Sequence, residues 1–334
     1  MQSPPLAAAA GATTAPPTTP RTVVVLGTGG TITGVADDPD DELGYRSAQR
    51  SVADLVGGLD HTAAVLETEQ IAQVDSKDMG AAIWLSLAAR IAHHLTRAEV
   101  AGLVVTHGTD TLEETAYFLQ RVLAPVRPVV LTGAMRPASL RRADGPGNLR
   151  DAIGLALGPA GAGVKVVMNG AVHEGGAVRK AHSRRLDAFT SGRSGPWTRL
   201  VGGALVARRA AIPLAPGLGL AALNAYPEAW PWVEIVTACS APRAAAVQAL
   251  RNAGVRGLVV ATTGNGTLHA ALEHALREAT RAGVAVLRAT RCLEGGIVET
   301  AAQAAAGLPS AGALTPVQAR IELMLRLMGP AARG

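Results

Sequence analysis

The stretch Gly102-Leu-Val-Val-Thr-His-Gly-Thr-Asp-Thr-Leu-Glu-Glu-Thr-Ala-Tyr-Phe-Leu119 decides the fold. Leu103, Val104 and Val105 form a short apolar, β-branched run, Gly108 breaks it, and Ala116, Phe118 and Leu119 follow among good helix formers. That order predicts strand, tight turn, helix. Thr109 and Asp110 fall at the turn, between the carboxyl end of a strand and the amino end of a helix. Open α/β sheets place their ligands there, and unpaired backbone N–H groups favour negative charge. A hydroxyl and a carboxylate side by side at such a turn point to chemistry.

The same grammar repeats on either side. Thr22–Leu26 reads as an apolar strand running into Gly27-Thr-Gly-Gly-Thr-Ile32. A dinucleotide fingerprint needs glycine where Ile32 stands, so the Rossmann reading fails. The glycines fit either a plain tight turn or a sharp turn beside a ligand that leaves the Thr31 hydroxyl at the strand end. Residues 33–48 are polar, contain Gly34, Pro39 and Gly44, and have no period; they predict a mobile loop of the kind that serves as a lid. Tyr45, one of three tyrosines, is either an anchoring aromatic or a phenol that reaches Thr31 or a substrate. A helix over Ser51–Leu59 and a strand over Val65–Ile71 lead to a loop, Val74–Met79, that opens a helix over Ala81–Leu95. Ser76 reads by default as a helix cap, with a ligand contact as the alternative.

Further on, Pro128–Leu131 and Val164–Met168 are buried strands, and Asp144-Gly-Pro-Gly-Asn-Leu149 caps the helix between them. Lys180 follows, one of only three lysines, with Lys77 and Lys165, among 31 basic residues. A lone lysine on a loop is usually solvated, yet one kept where arginine is otherwise preferred suits an amine that must lose its proton. Residues 206–230 are rich in glycine, proline and alanine and read as a linker. Strand-and-helix alternation then resumes to the closing helix Pro316–Met328, with Asn265 between two glycines at a strand end. The reading is two parallel-sheet α/β domains, a larger one over 21–205 and a smaller one over 231–334, preceded by a disordered tail over 1–20.

Composition narrows the function classes. At 334 residues and 48% hydrophobic content the chain can build two cores, and with aromatics at 3% those cores must be aliphatic. The net charge of +5 comes from scattered arginines rather than a basic stripe with interleaved aromatics, which argues against a nucleic-acid partner. No apolar run is long enough to predict a membrane span. Cys239 and Cys292 have no partner spacing for zinc or a disulfide framework, so no metal is expected and a reducing, cytoplasmic compartment fits, with export through a degenerate signal in the tail as the alternative. There is no Gly-x-Ser-x-Gly elbow, phosphate loop or His-Glu-x-x-His. What remains is Thr31, Thr109, Asp110, Lys180 and Tyr45. Threonine becomes a nucleophile only when a base takes its proton, and a desolvated lysine can do so. The set favours attack on an activated carbonyl.

The blocks Thr-Gly-Gly-Thr31-Ile, Thr-His-Gly-Thr109-Asp110-Thr-Leu-Glu-Glu-Thr-Ala-Tyr-Phe-Leu, Gly-Ala-Met-Arg-Pro…Ala-Asp144-Gly-Pro-Gly-Asn148-Leu and Gly-Asn265-Gly resemble the bacterial L-asparaginase family of the homotetrameric type, from about residue 21 to the C-terminus. The resemblance implies that Thr31 is a nucleophile assisted by Tyr45, and that Thr109, Asp110 and Lys180 form a second set acting on water and the acyl group. It implies that Asp110 binds the substrate ammonium group, that Ser76 holds its α-carboxylate, and that backbone N–H groups near Thr109 stabilise the oxyanion. Asn265 would reach a neighbouring subunit's site, as would a glutamate falling at Glu299, so the site would exist only in a homo-oligomer. No cofactor is implied. Lys77 departs from the family, which carries Gln, Glu or Ser there; a cation at that position either touches the substrate or pairs with Asp78. Asparagine is the expected substrate, with dual action on glutamine or a catalytically silent amino-acid sensor as the alternatives.

Overall fold

Buried apolar runs that end in small, hydroxyl-bearing turns recur along the chain, and their repetition builds the molecule. A computed structural model describes residues 21–59, 64–158, 161–206, 209–210 and 215–329. The tail over 1–20 and parts of the 206–230 segment lie outside the described residues. The chain opens with β1 (Thr22–Gly29), a small hairpin of β2 (Val35–Ala36) and β3 (Tyr45–Arg46), and α1 (Val52–Gly57). It continues through β4 (Val65–Val74), α2 (Ala81–Leu95), β5 (Val100–Thr106), α3 (Leu112–Leu123), β6 (Val129–Thr132), α4 (Gly145–Leu157) and β7 (Val164–Met168). Five short strands follow: β8 (Ala171–Glu174), β9 (Arg179–Lys180), β10 (Phe189–Thr190), β11 (Thr198–Val201) and β12 (Ala204–Val206). The second half carries β13 (Val233–Thr237), α5 (Ala245–Asn252), β14 (Gly257–Thr262), α6 (Ala270–Arg281), β15 (Ala285–Thr290), α7 (Ala301–Ala306) and α8 (Pro316–Met328).

The large sheet has the order β12-β11-β8-β7-β6-β5-β1-β4. Its strands from β4 to β7 are parallel, which explains why β1 and β5 read as unbroken apolar runs: both faces are covered. Alternation shows in which core each side chain joins. Val24 and Leu26 pack with α2, α3 and α8; Val23 and Val25 pack with α1 and α4 on the other face. Phe118 of α3, wholly buried, stacks on Trp84 at 5.1 Å and leans on Trp230 at 5.9 Å, so the few aromatics are spent where α2, α3 and the second half meet. The second half is a three-stranded parallel sheet, β13-β14-β15. Helices α5 and α6 cover one of its faces, and α8 fills the other against α3. Glu322 of α8 clamps that contact, accepting from Tyr117 Oη at 2.9 Å and Arg121 Nε at 2.7 Å.

Two local expectations are corrected. The large sheet is not parallel throughout: β8, β11 and β12 run antiparallel at one edge. The cause is turn chemistry, since Asn169 (φ 48°) and Gly170 (φ 69°) form a left-handed pair that reverses the chain after β7, and Gly202 and Gly203 do so after β11. The 33–48 loop likewise is drawn into the β2–β3 hairpin, with Asp41 turning its tip by accepting from the Leu43 and Gly44 amides. Among the described residues no helix is long and apolar enough to cross a membrane.

Candidate active site

Three strand ends converge at the carboxyl edge of the large sheet. Gly29 and Gly30 take φ of 103° and 84°, which lets β1 turn out of the sheet, and Gly30 then lies so close to the β5 turn that a Cβ on it would sit 2.4 Å from Gly108 Cα. A Cβ on Gly108 would in turn sit 2.5 Å from Ser76 Oγ, beyond the end of β4. Only glycine fits either place. This packing carries Thr31, Thr109 and Ser76 to one spot although they lie far apart in sequence.

Thr31 opens a single 3-10 turn, Thr31–Thr33, and its hydroxyl lies 2.8 Å from Tyr45 Oη, presented by β3. Thr109 accepts from Lys180 Nζ at 2.9 Å, and the same ammonium donates to Asp110 Oδ1 at 2.6 Å. Lys180 comes from β9 and is only 14% exposed in its side chain, whereas Asp110 is 62% exposed. Asp110 therefore keeps a face open to a second cation. The Asp110 amide donates to Ser76 Oγ at 3.2 Å, and Thr111 Oγ1 donates to the Ser76 carbonyl at 2.7 Å. Ser76 is thus not a cap of α2: Gly80 holds that position without a side-chain bond, and Asp75 caps the short 76–78 turn. The Asp110 amide, one of the N–H groups expected to face an oxyanion, is engaged by this serine.

A cavity of about 220 Å³ opens over these groups. Thr31, Tyr45, Asp75, Ser76, Thr109, Asp110 and Lys180 line it, together with Glu42 and Leu43 of the hairpin loop and Met135, Ser183 and Arg184. Lys77 does not line it; its ammonium donates to Asp78 at 2.6 Å and lies 3.9 Å from Asp75, on the exposed side of the turn. Asn265 is also elsewhere. Its amide group exchanges two 2.8 Å bonds with the backbone of Val298, beside the Arg288–Glu299 ion pair, and these residues line a second recess. Asn265 and Glu299 are therefore brought together with each other, and not with Thr31 of the same chain.

Several supporting residues are silent in the sequence. His107 is fully buried and its Nδ1–H donates to the Gly108 carbonyl at 2.7 Å, while Nε2 accepts from Thr115 Oγ1 at 2.9 Å. Trp84 Nε1 donates to that same threonine oxygen at 2.9 Å. The chain of donors fixes a neutral imidazole, and burial drives its pKa down to about 4. It stiffens the turn that carries Thr109. Asp144 occupies the expected N-cap position of α4 but makes no side-chain capping bond; its carboxylate accepts from the Met135 and Arg136 amides at 3.0 and 2.9 Å, and Asn148 donates to the Gly133 carbonyl at 2.9 Å. Both pin the β6 turn that supplies Met135 to the cavity wall. The only sequence trace of these roles is a histidine flanking glycine at a strand end and an Asp-x-x-x-Asn spacing.

Comparison with known proteins decides what this arrangement is part of. Residues 22–212 match the family described as Asparaginase, N-terminal, and residues 232–330 match the Glutaminase/Asparaginase C-terminal domain. The chain belongs to the asparaginase family. Within that family it is 34% identical over 314 residues to L-asparaginase 2 of Escherichia coli strain K12, covering 91% of this chain and 88% of the relative. It is 32% identical to the glutaminase-asparaginase of Pseudomonas fluorescens biotype A over 83% of this chain and 77% of that one. The crystal structure of a probable cytoplasmic L-asparaginase from Campylobacter jejuni superposes with a TM-score of 0.86 at 35% identity, covering 92% of this chain and 95% of the other. The asparaginase fold thus spans both halves of the chain, the larger sheet with the cavity and the smaller one with Asn265.

Proposed function

We propose that this enzyme hydrolyses the side-chain amide of L-asparagine to L-aspartate and ammonia through an acyl-enzyme on Thr31. The observation that carries the reading is that two threonine hydroxyls face one cavity, each with its own proton partner: Thr31 with the Tyr45 phenol, Thr109 with Lys180, which also donates to Asp110. Thr31 Oγ1 attacks the amide carbon as its proton passes to Tyr45 Oη, the phenol gives its own proton to the departing nitrogen, and the C–N bond breaks to release ammonia. Water, held by Thr109, then attacks the acyl carbon, its proton passing by way of Thr109 to Lys180 as Lys180 gives one up to Asp110, and the Thr31 ester bond breaks as Thr31 Oγ1 regains a proton by way of Tyr45. The substrate is a zwitterion. Asp110, with its open face, receives the ammonium group; Ser76, whose oxygen already accepts from the Asp110 amide, keeps its own O–H to donate to the α-carboxylate.

The site is completed by a second copy of the chain, whose Asn265 and Glu299 occupy the recess remote from Thr31, so activity belongs to a homo-oligomer. A cytoplasmic setting, where thiols stay reduced, suits the two exposed free cysteines, Cys239 and Cys292. Dual action on glutamine is the second reading, favoured by the likeness to the Pseudomonas glutaminase-asparaginase; one methylene is worth only about 1–3 kcal/mol of discrimination. The test is ammonia release from asparagine and glutamine, side by side, for the wild type, Thr31→Ala and Thr109→Ala. Turnover of asparagine, with loss of roughly three to four orders of magnitude in either variant, supports the mechanism, and the glutamine rate separates the two readings. Aspartate binding with no ammonia from either amide would replace both with a sensor.

A further inference from the structure

Lys180 is held to the cavity by its ammonium, but its backbone must also be placed, and the strand that carries it is only two residues long. In β9 the pairing is Arg179 with Thr190 and Lys180 with Phe189 of the equally short β10. Such a ladder gives little rigidity by itself. The Lys180 N–H points away from it and donates to Glu113 Oε2 at 3.0 Å. Glu113 lies in the first turn of α3, three residues after Asp110, so one carboxylate links the helix that begins at the Thr109–Asp110 turn to the strand whose lysine bonds both of those residues.

We infer that Glu113 is a positioning residue that fixes the Lys180 main chain and thereby the meeting of the Lys180 ammonium with Thr109 and Asp110. The inference rests on the amide-hydrolysis reading above for its kinetic consequence, though not for its geometry. The Thr109–Lys180 distance is then set from two ends, by Nζ on the cavity side and by the backbone amide on the other. A lysine side chain has four rotatable bonds, and anchoring its Cα removes most of the freedom that would let the amine miss its partner.

The same carboxyl is a candidate for pH control, because of what surrounds it. Burial pushes Glu113 up to about 7, and the Lys180 amide bond pulls the other way. Facing it are Glu114 on its own helix, which raises it further, and Arg179 and Lys180 on β9, which lower it; Arg320 of α8 lies 4.0 Å from Glu114. Ionised, Glu113 makes a charge-assisted bond to the Lys180 N–H, which is shorter and stronger than the bond from a neutral carboxyl. The tightly placed form of Lys180 therefore belongs to the alkaline side of neutrality and weakens as the pH falls.

The scarcity of lysine makes this testable in the intact protein. Labelling with [15N]lysine yields one backbone amide signal each from Lys77, Lys165 and Lys180, and K77R and K180R, by deleting one signal apiece, assign the set. The Lys180 amide should shift with a midpoint near pH 7, and E113Q should abolish that shift while leaving the other two signals in place. A Lys180 signal that is flat across neutrality, or that titrates identically in E113Q, overturns the inference. In kinetics, E113Q, neutral at every pH, should hold kcat near the wild type's acid-side level across the range and so lose the limb near pH 7. E113A, with no acceptor, should lower kcat at least about tenfold with KM little changed. Wild-type kcat and an unaltered pH profile in E113A also overturn it. If the wild type releases no ammonia from either amide, the functional reading falls, and the Lys180 titration still decides where Glu113 acts.

Discussion

Thr31 and Thr109 are the same side chain at the same kind of place, the turn after a buried parallel strand, yet they are supported in opposite ways. Thr31 has one side-chain partner, a neutral phenol carried on a hairpin of two-residue strands. Thr109 accepts from an ammonium that also donates to the Asp110 carboxylate, on a turn tied to Ser76 and backed by the His107–Thr115–Trp84 chain. A hydroxyl bonded to another hydroxyl, in which either oxygen can donate, can change its bonding without separating charge. A hydroxyl accepting from a fixed ammonium is built to stay where it is. The difference teaches which threonine is suited to bond to the substrate and which to hold the second reactant.

The comparison is broken most severely by removing either hydroxyl. Thr31→Ala and Thr109→Ala should be comparably inactive, but intact-protein mass spectrometry after mixing with asparagine should find an acyl adduct only on Thr109→Ala. An adduct on Thr31→Ala would exchange the two roles. Next in size is the packing that brings the turns together. Gly30→Ala puts a Cβ against the Gly108 backbone at a φ of 84° and should cost about 3 kcal/mol or more in urea unfolding. Gly154→Ala, in the interior of α4 where nothing lies within 4 Å, should instead stabilise by about 0.5–1 kcal/mol. Tyr45→Phe sharpens the contrast on the Thr31 side: it removes one neutral bond and should lower kcat by roughly 10–100-fold while leaving asparagine binding nearly intact. The smallest effect belongs to Lys77→Gln. With its ammonium on Asp78 and solvent around it, the change should shift KM for either amide by no more than about threefold.

The two threonine turns were the most legible part of the chain because both follow continuous apolar strands and both break at glycine. Lys180 was legible by scarcity alone: in an arginine-rich chain a retained lysine stands out, although nothing local says what it touches. Tyr45 and Ser76 were visible as candidates with two readings each, since a hydroxyl before an apolar helix and an aromatic on a loop carry no signal of what lies across space. The antiparallel edge was present in the letters Asn169-Gly170, whose turn chemistry outweighs the expectation that strands in such a sheet stay parallel. His107, Thr115 and Trp84 were out of reach, because their bonds join separate helices and strands and depend on depth of burial, which a linear pattern does not encode. Asp144 is half legible for the same reason: its N-cap position at the start of α4 is local, and the partners of its carboxylate at Met135 and Arg136 are not.

The contact of Gly30 with Gly108 also bears on how such an enzyme could change over time. Because the two turns touch through bare backbone, the separation of the two hydroxyls has no side chain through which it can be adjusted, and selection on substrate size has no purchase there. Side chains through which the cavity can be reshaped lie instead at Glu42 and Leu43 on the hairpin loop and at Ser183 and Arg184. A laboratory search for altered amide preference would gain most by randomising those four positions and leaving the glycines alone.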